Sequence, residues 1–350
     1  MRESSAQPTQ RPSLKRLLLF TALFIALSAA VPYVMVSELD LERPALDGRL
    51  FDPLFLLTLA LLLLLYFTCD GLRLYFTLRA LGYRIPLPAQ ARLVFINLLV
   101  SNVTPMATGG GVAQIWYLRH QGVHLGAATA ATTLRTLQAV FFIFLPTPLL
   151  LLLLPPLRES PLGDQLAAYL ALFAAAYLLF FAVLLWRMGW ILATADQVIL
   201  LLSRFHLINQ QRRGRWHFFI RRELLRFRYA CRAFFQGQCG YALLAILFTA
   251  GFLLALFSFP AVILWGLDYD VDYGLTLGLL VVTTFIMYFA PTPGASGVAE
   301  GVFGLFFSAL VQSGDLVLTI LVWRFLTIHL GMLIGVPVTL HTVFRPRPND

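Results

Sequence analysis

Charge is what this sequence has least of: Asp, Glu, Lys and Arg make up 12% of its 350 residues, where a soluble domain carries about a quarter. Hydrophobic residues take 59%, in runs long enough to cross a bilayer, and no polar stretch between them would hold a separate catalytic domain. The composition predicts a polytopic membrane protein. Cysteine is scarce as well. Cys69, Cys231 and Cys239 match neither a zinc pattern nor a disulfide framework, so they read as small apolar fillers. The six histidines are scattered without ligand spacing, and no nucleophile–His–acid arrangement is visible. No catalytic residue, metal or cofactor is expected.

The charge that is present is positive, +9 net, and almost all of the cations are arginine lying between apolar runs. That placement is the pattern of loops facing the cytoplasm and anionic lipid headgroups, and it speaks against a nucleic-acid partner. Residues 1–14 are expected to form a disordered cytoplasmic tail. Apolar runs at 17–36, 51–69, 126–154, 166–186, 241–265 and 316–340 predict about six full spans. The first is expected to be an uncleaved anchor, although Ala-Leu-Ser-Ala-Ala at 26–30 faintly resembles a signal-peptidase site. The second run extends as a helix toward Leu81, and Asp70, Arg73, Arg79 and Arg84 mark its inner end, while the acidic stretches at 38–47 and 268–272 and Asp315 mark outer loops. The alternation of Asp268, Asp270 and Asp272 lacks the glycine and glutamate of an EF-hand at positions 273 and 279. Residues 187–235 interleave arginines with Phe218, Phe219, Leu224, Leu225 and Phe227, the signature of a basic amphipathic helix on a membrane surface. Residues 15–342 thus form a single transmembrane domain, followed by a short tail at 343–350.

Two apolar stretches are broken. Residues 288–301 read Tyr-Phe-Ala-Pro-Thr-Pro-Gly-Ala-Ser-Gly-Val-Ala-Glu-Gly, and residues 101–111 read Ser-Asn-Val-Thr-Pro-Met-Ala-Thr-Gly-Gly-Gly. Backbone freed by proline is tolerated at membrane depth only where protein buries it or where it lines a wet cavity. The flanking charges place both ends of 93–118 inside and both ends of 275–311 outside. The expected fold is therefore an all-α polytopic transmembrane bundle with two opposed re-entrant hairpins, inverted-repeat-like, around a midplane site. Eight ordinary kinked spans are the alternative.

The residues that would carry a site lie at these breaks. Glu300 follows the second break near the start of a half-helix, where the helix dipole favours a carboxylate. A carboxylate at that depth is by default a functional residue. Arg324, inside the last span, is its natural partner, and its forked guanidinium also suits a phosphate. Pro291, Pro293, Gly294, Ser296 and Gly297 complete the second candidate set. Asn102, Thr104, Pro105, Thr108, Gly109, Gly110 and Gln114 form the first, with Arg135 on the polar stripe of the following span. No Lys-Ser/Thr follows the glycine run, so it is not a P-loop. Its freed N–H groups would either meet an anionic headgroup or simply make a cheap kink.

These residues resemble a known family. Thr104-Pro-Met-Ala-Thr-Gly-Gly110, Tyr117-Leu-Arg119, Gly122-Val123 and Ala128-Thr-Ala130 are similar to the first motif of the lysylphosphatidylglycerol synthetase membrane domain, or flippase-like, family. Pro291-Thr-Pro-Gly-Ala-Ser-Gly297 with Glu300, then Leu321-Val-Trp-Arg324, resemble its second motif and final span. The resemblance covers essentially the whole chain. It implies a protein of the bacterial inner (plasma) membrane that translocates or binds lipids, with two re-entrant helical regions; the flanking charges put both termini in the cytoplasm. In some relatives a soluble aminoacyl transferase domain follows. With Asp350 as the last residue, the resemblance implies the stand-alone form, not an enzyme. Two positions depart from the family pattern: Gly111 stands where a carboxylate often follows the paired glycines, and Arg135 has Leu134 and Thr136 beside it instead of an acidic neighbour. Both departures remove carboxylates that would meet a cationic aminoacyl headgroup.

The leading expectation is a lipid flippase or transporter that moves a phospholipid or polyprenyl-type lipid between leaflets, with membrane lipids as its partners. The alternatives are an accessory or synthase subunit of lipid or glycan biosynthesis and an ion-coupled small-solute transporter. A separate lipid- or glycan-modifying enzyme and a second copy of the chain are further partners left open.

Overall fold

The computed structural model describes residues 48–154, 168–177, 179, 222–223, 225–227 and 229–344. Four helical spans form its frame. Helix α1 (Pro53–Ala80) starts where Asp52 Oδ1 accepts from the Leu54 N–H at 2.7 Å and Pro53 supplies a preset first turn. Helix α4 (Leu125–Phe144) continues across a turn at Pro146 into α5 (Thr147–Leu153). A short helix, α6, covers Ala168–Tyr177. Helix α7 (Cys239–Gly266) packs along α1. The last span runs as α10 (Ser313–Arg324), a π-helical turn at Phe325–His329, and α11 (Leu330–Phe344). At 28 to 31 residues each, these spans reach about 42 Å or more, ample for a hydrocarbon core of about 30 Å.

Between them lie two pairs of shorter helices. The first is α2 (Leu87–Val103) with α3 (Thr108–His120), and the second is α8 (Tyr273–Met287) with α9 (Val298–Phe307). With 10 to 17 residues each, none reaches the ~30 Å of a full crossing. Within each pair the helices pack on one another, so each pair is a hairpin. The α2–α3 hairpin rests against α11 and α4, and α8–α9 against α7 and α10. At the α2–α11 crossing a Cβ on Gly335 would stand 2.6 Å from the Phe95 carbonyl oxygen, so only glycine admits that approach.

The two hairpins open toward opposite ends of the bundle. At one end Tyr83 and His124 stack edge-on beside the open end of α2–α3, Arg79 Nη2 donates to Tyr241 Oη (2.6 Å), and the Gly126 N–H donates to Glu223 Oε2 (2.8 Å). At the other end Arg49 Nη1 donates to the Leu267 carbonyl (2.6 Å) and Tyr269 Oη to Asp315 Oδ2 (2.8 Å). Among the described residues, the loops expected outside thus gather at one end and the basic ones at the other. Burial and the adjacent Asp315 carboxylate raise the Tyr269 phenol above its ordinary pKa, so it remains a donor.

The all-helical membrane architecture stands as expected, with no strand among the described residues. Four expected spans are present, three with boundaries shifted by a few residues and the second with its helix extended to Ala80. The N-terminal tail, the run at 17–36, the acidic stretch at 38–47 and most of 166–186 and 187–235 lie outside the described residues, as does the C-terminal tail from 345; residues 343 and 344, expected in that tail, end α11. The described end of the basic segment docks on the bundle: Phe234 is buried, and burial pushes the Cys231 thiol up to about 11, which keeps it neutral.

Candidate functional site

The two hairpins meet tip to tip. Pro105 and Pro293 form an antiparallel β-bridge, and each is followed by two left-handed residues: Met106 (φ 52°) and Ala107 (φ 53°) in one tip, Gly294 (φ 57°) and Ala295 (φ 55°) in the other. The left-handed region is disfavoured for residues with a Cβ, so both tips are strained and must be held by their surroundings.

The second tip is held by charge. Glu300 Oε2 accepts from the Gly297 N–H at 2.7 Å, and its Oε1 lies 2.8 Å from Arg324 Nε. Arg324 Nη2 donates to the Gly294 carbonyl at 2.6 Å, so one ion pair grips the break on both sides. Gly297, at φ 88°, takes a conformation that side chains disfavour. Thr292 Oγ1 donates to the Ser296 carbonyl (2.8 Å), and Ser296 is itself buried. The π-helical turn begins directly after Arg324, and His329 Nδ1 lies 3.0 Å from the Arg324 carbonyl. Such single π turns recur at functional sites.

Neutral groups hold the first tip. Thr104 Oγ1 donates to the Val100 carbonyl (2.8 Å) and accepts from the Gly109 N–H (2.9 Å), closing α2 and opening α3 with one hydroxyl. Thr108 Oγ1 donates to the Pro105 carbonyl (3.0 Å), and Asn102 Nδ2 turns back to the Leu98 carbonyl (2.8 Å). A Cβ on Gly110 would overlap Ser101 Oγ, so the close approach of α2 and α3 requires glycine there. The Gly110 N–H is taken by the Ala107 carbonyl. Two of the glycine N–H groups expected to meet an anion therefore already have partners inside the hairpin.

Between the tips and the frame lies a cavity of about 390 Å³. Asn102, Gln114, Arg135 and Gly294 from the candidate set line it, whereas Glu300 and Arg324 sit behind the second tip and do not. Its most polar wall is a cluster that the sequence alone did not reveal. Asp70 Oδ1 accepts from Arg73 Nε (2.9 Å) and Nη2 (2.5 Å) on its own helix and from Arg135 Nη2 (2.5 Å) on α4. All three residues are buried, and the Arg73 guanidinium lies 3.7 Å above the Phe252 ring. The helical extension expected toward Leu81 is present, with α1 running to Ala80, but Asp70 and Arg73 on it are turned inward and buried. Their i, i+3 spacing with Thr77 on the same buried face was the available signal. Asn97 was missed as well. Its Oδ1, with the amide oriented by its partners, accepts from Gln114 Nε2 (2.5 Å) and Ser101 Oγ (3.2 Å), joining α2 to α3 beside the cluster.

The arrangement offers forked guanidinium donors, carboxamides and the Tyr288 phenol around a space large enough for a small headgroup. Among the described residues no cluster of His, Cys, Asp and Glu could hold a metal ion. The model of a family described as the lysylphosphatidylglycerol synthase TM region matches residues 20–335. The chain is also 26% identical to a UPF0104 membrane protein of Archaeoglobus fulgidus over 315 residues, covering 89% of this chain and 93% of the relative.

Proposed function

Since the chain belongs to the lysylphosphatidylglycerol synthase TM region family, we propose that it is a lipid carrier, moving a phospholipid or polyprenyl-type lipid between the leaflets of a plasma membrane. The observation that carries this reading is the polar, charge-lined cavity at the point where two opposed broken hairpins meet. Broken helices meeting near mid-bilayer are the usual setting of a transport site, because their freed backbone and buried charges can face a wet cavity there. The hairpins then act as re-entrant elements, each reaching mid-membrane from one face. A lipid headgroup crosses through the cavity while its chains stay in the apolar surroundings. The arginines at the Tyr83–His124 end orient that end to the cytoplasm. The reading makes the chain a carrier and not a catalyst; any covalent change to the lipid is the work of a separate enzyme.

The test is translocation of fluorescent lipids in proteoliposomes at matched reconstitution. Wild type is expected to move lipid faster than protein-free vesicles, with Arg135→Gln and Glu300→Gln both strongly reduced. Movement equal to that in empty vesicles across several headgroups would overturn the proposal.

A further inference from the structure

A second cavity lies at the Tyr83–His124 end of the bundle, away from the hairpin tips. It encloses about 560 Å³ between the end of α1, the start of α4 and the docked basic segment. That segment is helical at its described positions from 222 to 236 and is fastened at two places. Near its start Glu223 Oε2 takes the Gly126 N–H, and a Cβ on Gly126 would stand 2.6 Å from the Glu223 carbonyl oxygen, so the contact admits only glycine. Near its end Ala230, Cys231 and Phe234 pack with Ala80, Ala130 and Leu134. Between these fastenings the segment stands off the bundle and leaves the cavity. Leu81, Ala127, Leu225 and Ala230 give it an apolar floor, and Leu225 and Tyr229, one turn apart on one helix face, are exposed at its rim. Arg222, Arg226 and Arg232 carry its charge, and none of the lining residues is acidic. Glu223, behind the wall, accepts at Oε1 from Arg226 Nη1 (2.8 Å) and Arg222 Nε (3.3 Å). Three guanidinium charges against that one carboxylate leave +2 among the described residues. Arg226 and Arg232 are six helical residues apart, about 9 Å along the axis, so the charge is spread over two positions.

We infer that this cavity holds a resident lipid of the inner leaflet, one with two phosphodiester charges set apart by a linker, as in a diphosphatidylglycerol. It is a site for a lipid that stays, separate from any lipid carried through the central cavity. Each phosphate takes one guanidinium fork, and the acyl chains run over the apolar floor and past Leu225 and Tyr229. Basic pockets at the cytoplasmic ends of spans suit such headgroups. A lipid with a single phosphodiester answers one position and leaves the other. A diphosphate has its charges side by side and reaches one position only. A soluble anion leaves the exposed Leu225 and Tyr229 facing water, and an acidic peptide brings no chain to cover them. The bound lipid ties the basic segment to α1 and α4, whose ends form the opposite wall.

The experiment is native mass spectrometry of the delipidated full chain in detergent, counting what is retained as cardiolipin, phosphatidylglycerol, phosphatidylcholine, farnesyl diphosphate, sodium pyrophosphate or a polyglutamate peptide is added. One cardiolipin per chain is expected to be held at about a tenth of the concentration that phosphatidylglycerol needs, compared per phosphate. Arg232→Gln is expected to weaken cardiolipin by about tenfold or more, the size of a lost charge-assisted hydrogen bond, and so to bring it level with phosphatidylglycerol. Arg232 is exposed, so this variant folds. Adding Arg226→Gln is expected to abolish the preference, and Arg232→Lys, which keeps the charge and loses the fork, falls between. Arg119→Gln, an exposed site outside this cavity, binds as wild type. Equal retention of cardiolipin and phosphatidylglycerol, undiminished retention in Arg232→Gln, or equal binding of farnesyl diphosphate, pyrophosphate or the acidic peptide would overturn the inference. Binding is read without translocation, so it fails separately from the carrier reading. Cardiolipin held without any lipid movement sinks the carrier and leaves this site, and movement with no cardiolipin preference does the reverse.

Discussion

The two hairpin tips share a proline followed by two left-handed residues and are held by different means. The φ values are 52° and 53° in one and 57° and 55° in the other; a new helix follows directly in the first, and after Ser296 and Gly297 (φ 88°) in the second. The first is fastened by a threonine hydroxyl and by carboxamide and serine hydrogen bonds among α2 and α3. The second is fastened by a buried ion pair that grips Gly294 and Gly297. The exposure follows the chemistry: residues 105–108 are exposed at the first tip, while Pro293, Ala295 and Ser296 are buried at the second. A strained turn can thus be held by cheap local bonds where it is exposed. Where protein encloses it, stronger charge-assisted bonds take over, because unpaired groups there are most costly.

The largest effect should come from breaking the charged fastening. Arg324→Ala leaves Glu300 buried without its partner and is expected to cost about 3–5 kcal/mol. Replacing both residues, as in Glu300→Gln with Arg324→Met, should recover a good part of that loss. Unfolding in detergent measures both, and a double variant no better than the single one would mean that the pair is not what holds the tip. Next comes steric fit at the neutral tip. Gly110→Ala drives a methyl into Ser101 and is expected to cost about 1–3 kcal/mol, whereas Gly111→Ala faces open space and should stay within about 0.5 kcal/mol of wild type. Equal losses at the two glycines would remove the close α2–α3 approach from the argument. The smallest effect concerns strain. Ala107→Gly should stabilise by up to about 1 kcal/mol, and Gly294→Ala should destabilise by a similar amount. A loss in the first variant would show that the left-handed turn is not strained where alanine stands.

Much of this was legible in the sequence. Proline and glycine inside apolar runs announce breaks at any membrane depth, and a lone carboxylate and arginine in the same half of the chain announce a pair, as Glu300 and Arg324 form. The central cluster was not legible in the same way. Asp70 and Arg73 sit late in an apolar run that becomes polar, and by position alone such residues read as a wetted end. Arg135 lacked an acidic neighbour in sequence. Its carboxylate comes instead from Asp70, 65 residues away on another helix.

The sequence by itself determined the class of molecule, the four described spans and the two breaks, because each follows from local composition: apolar length, positive loops, and residues that stop a helix. Tertiary structure alone decided that the breaks meet at Pro105 and Pro293, that the Asp70–Arg73–Arg135 cluster faces the cavity, and that Glu300 and Arg324 stand behind it. The reason is physical. A helix rotation of one residue, about 100°, turns a side chain from lipid to core, and only the packing of α1 against α4 and α7 settles that angle.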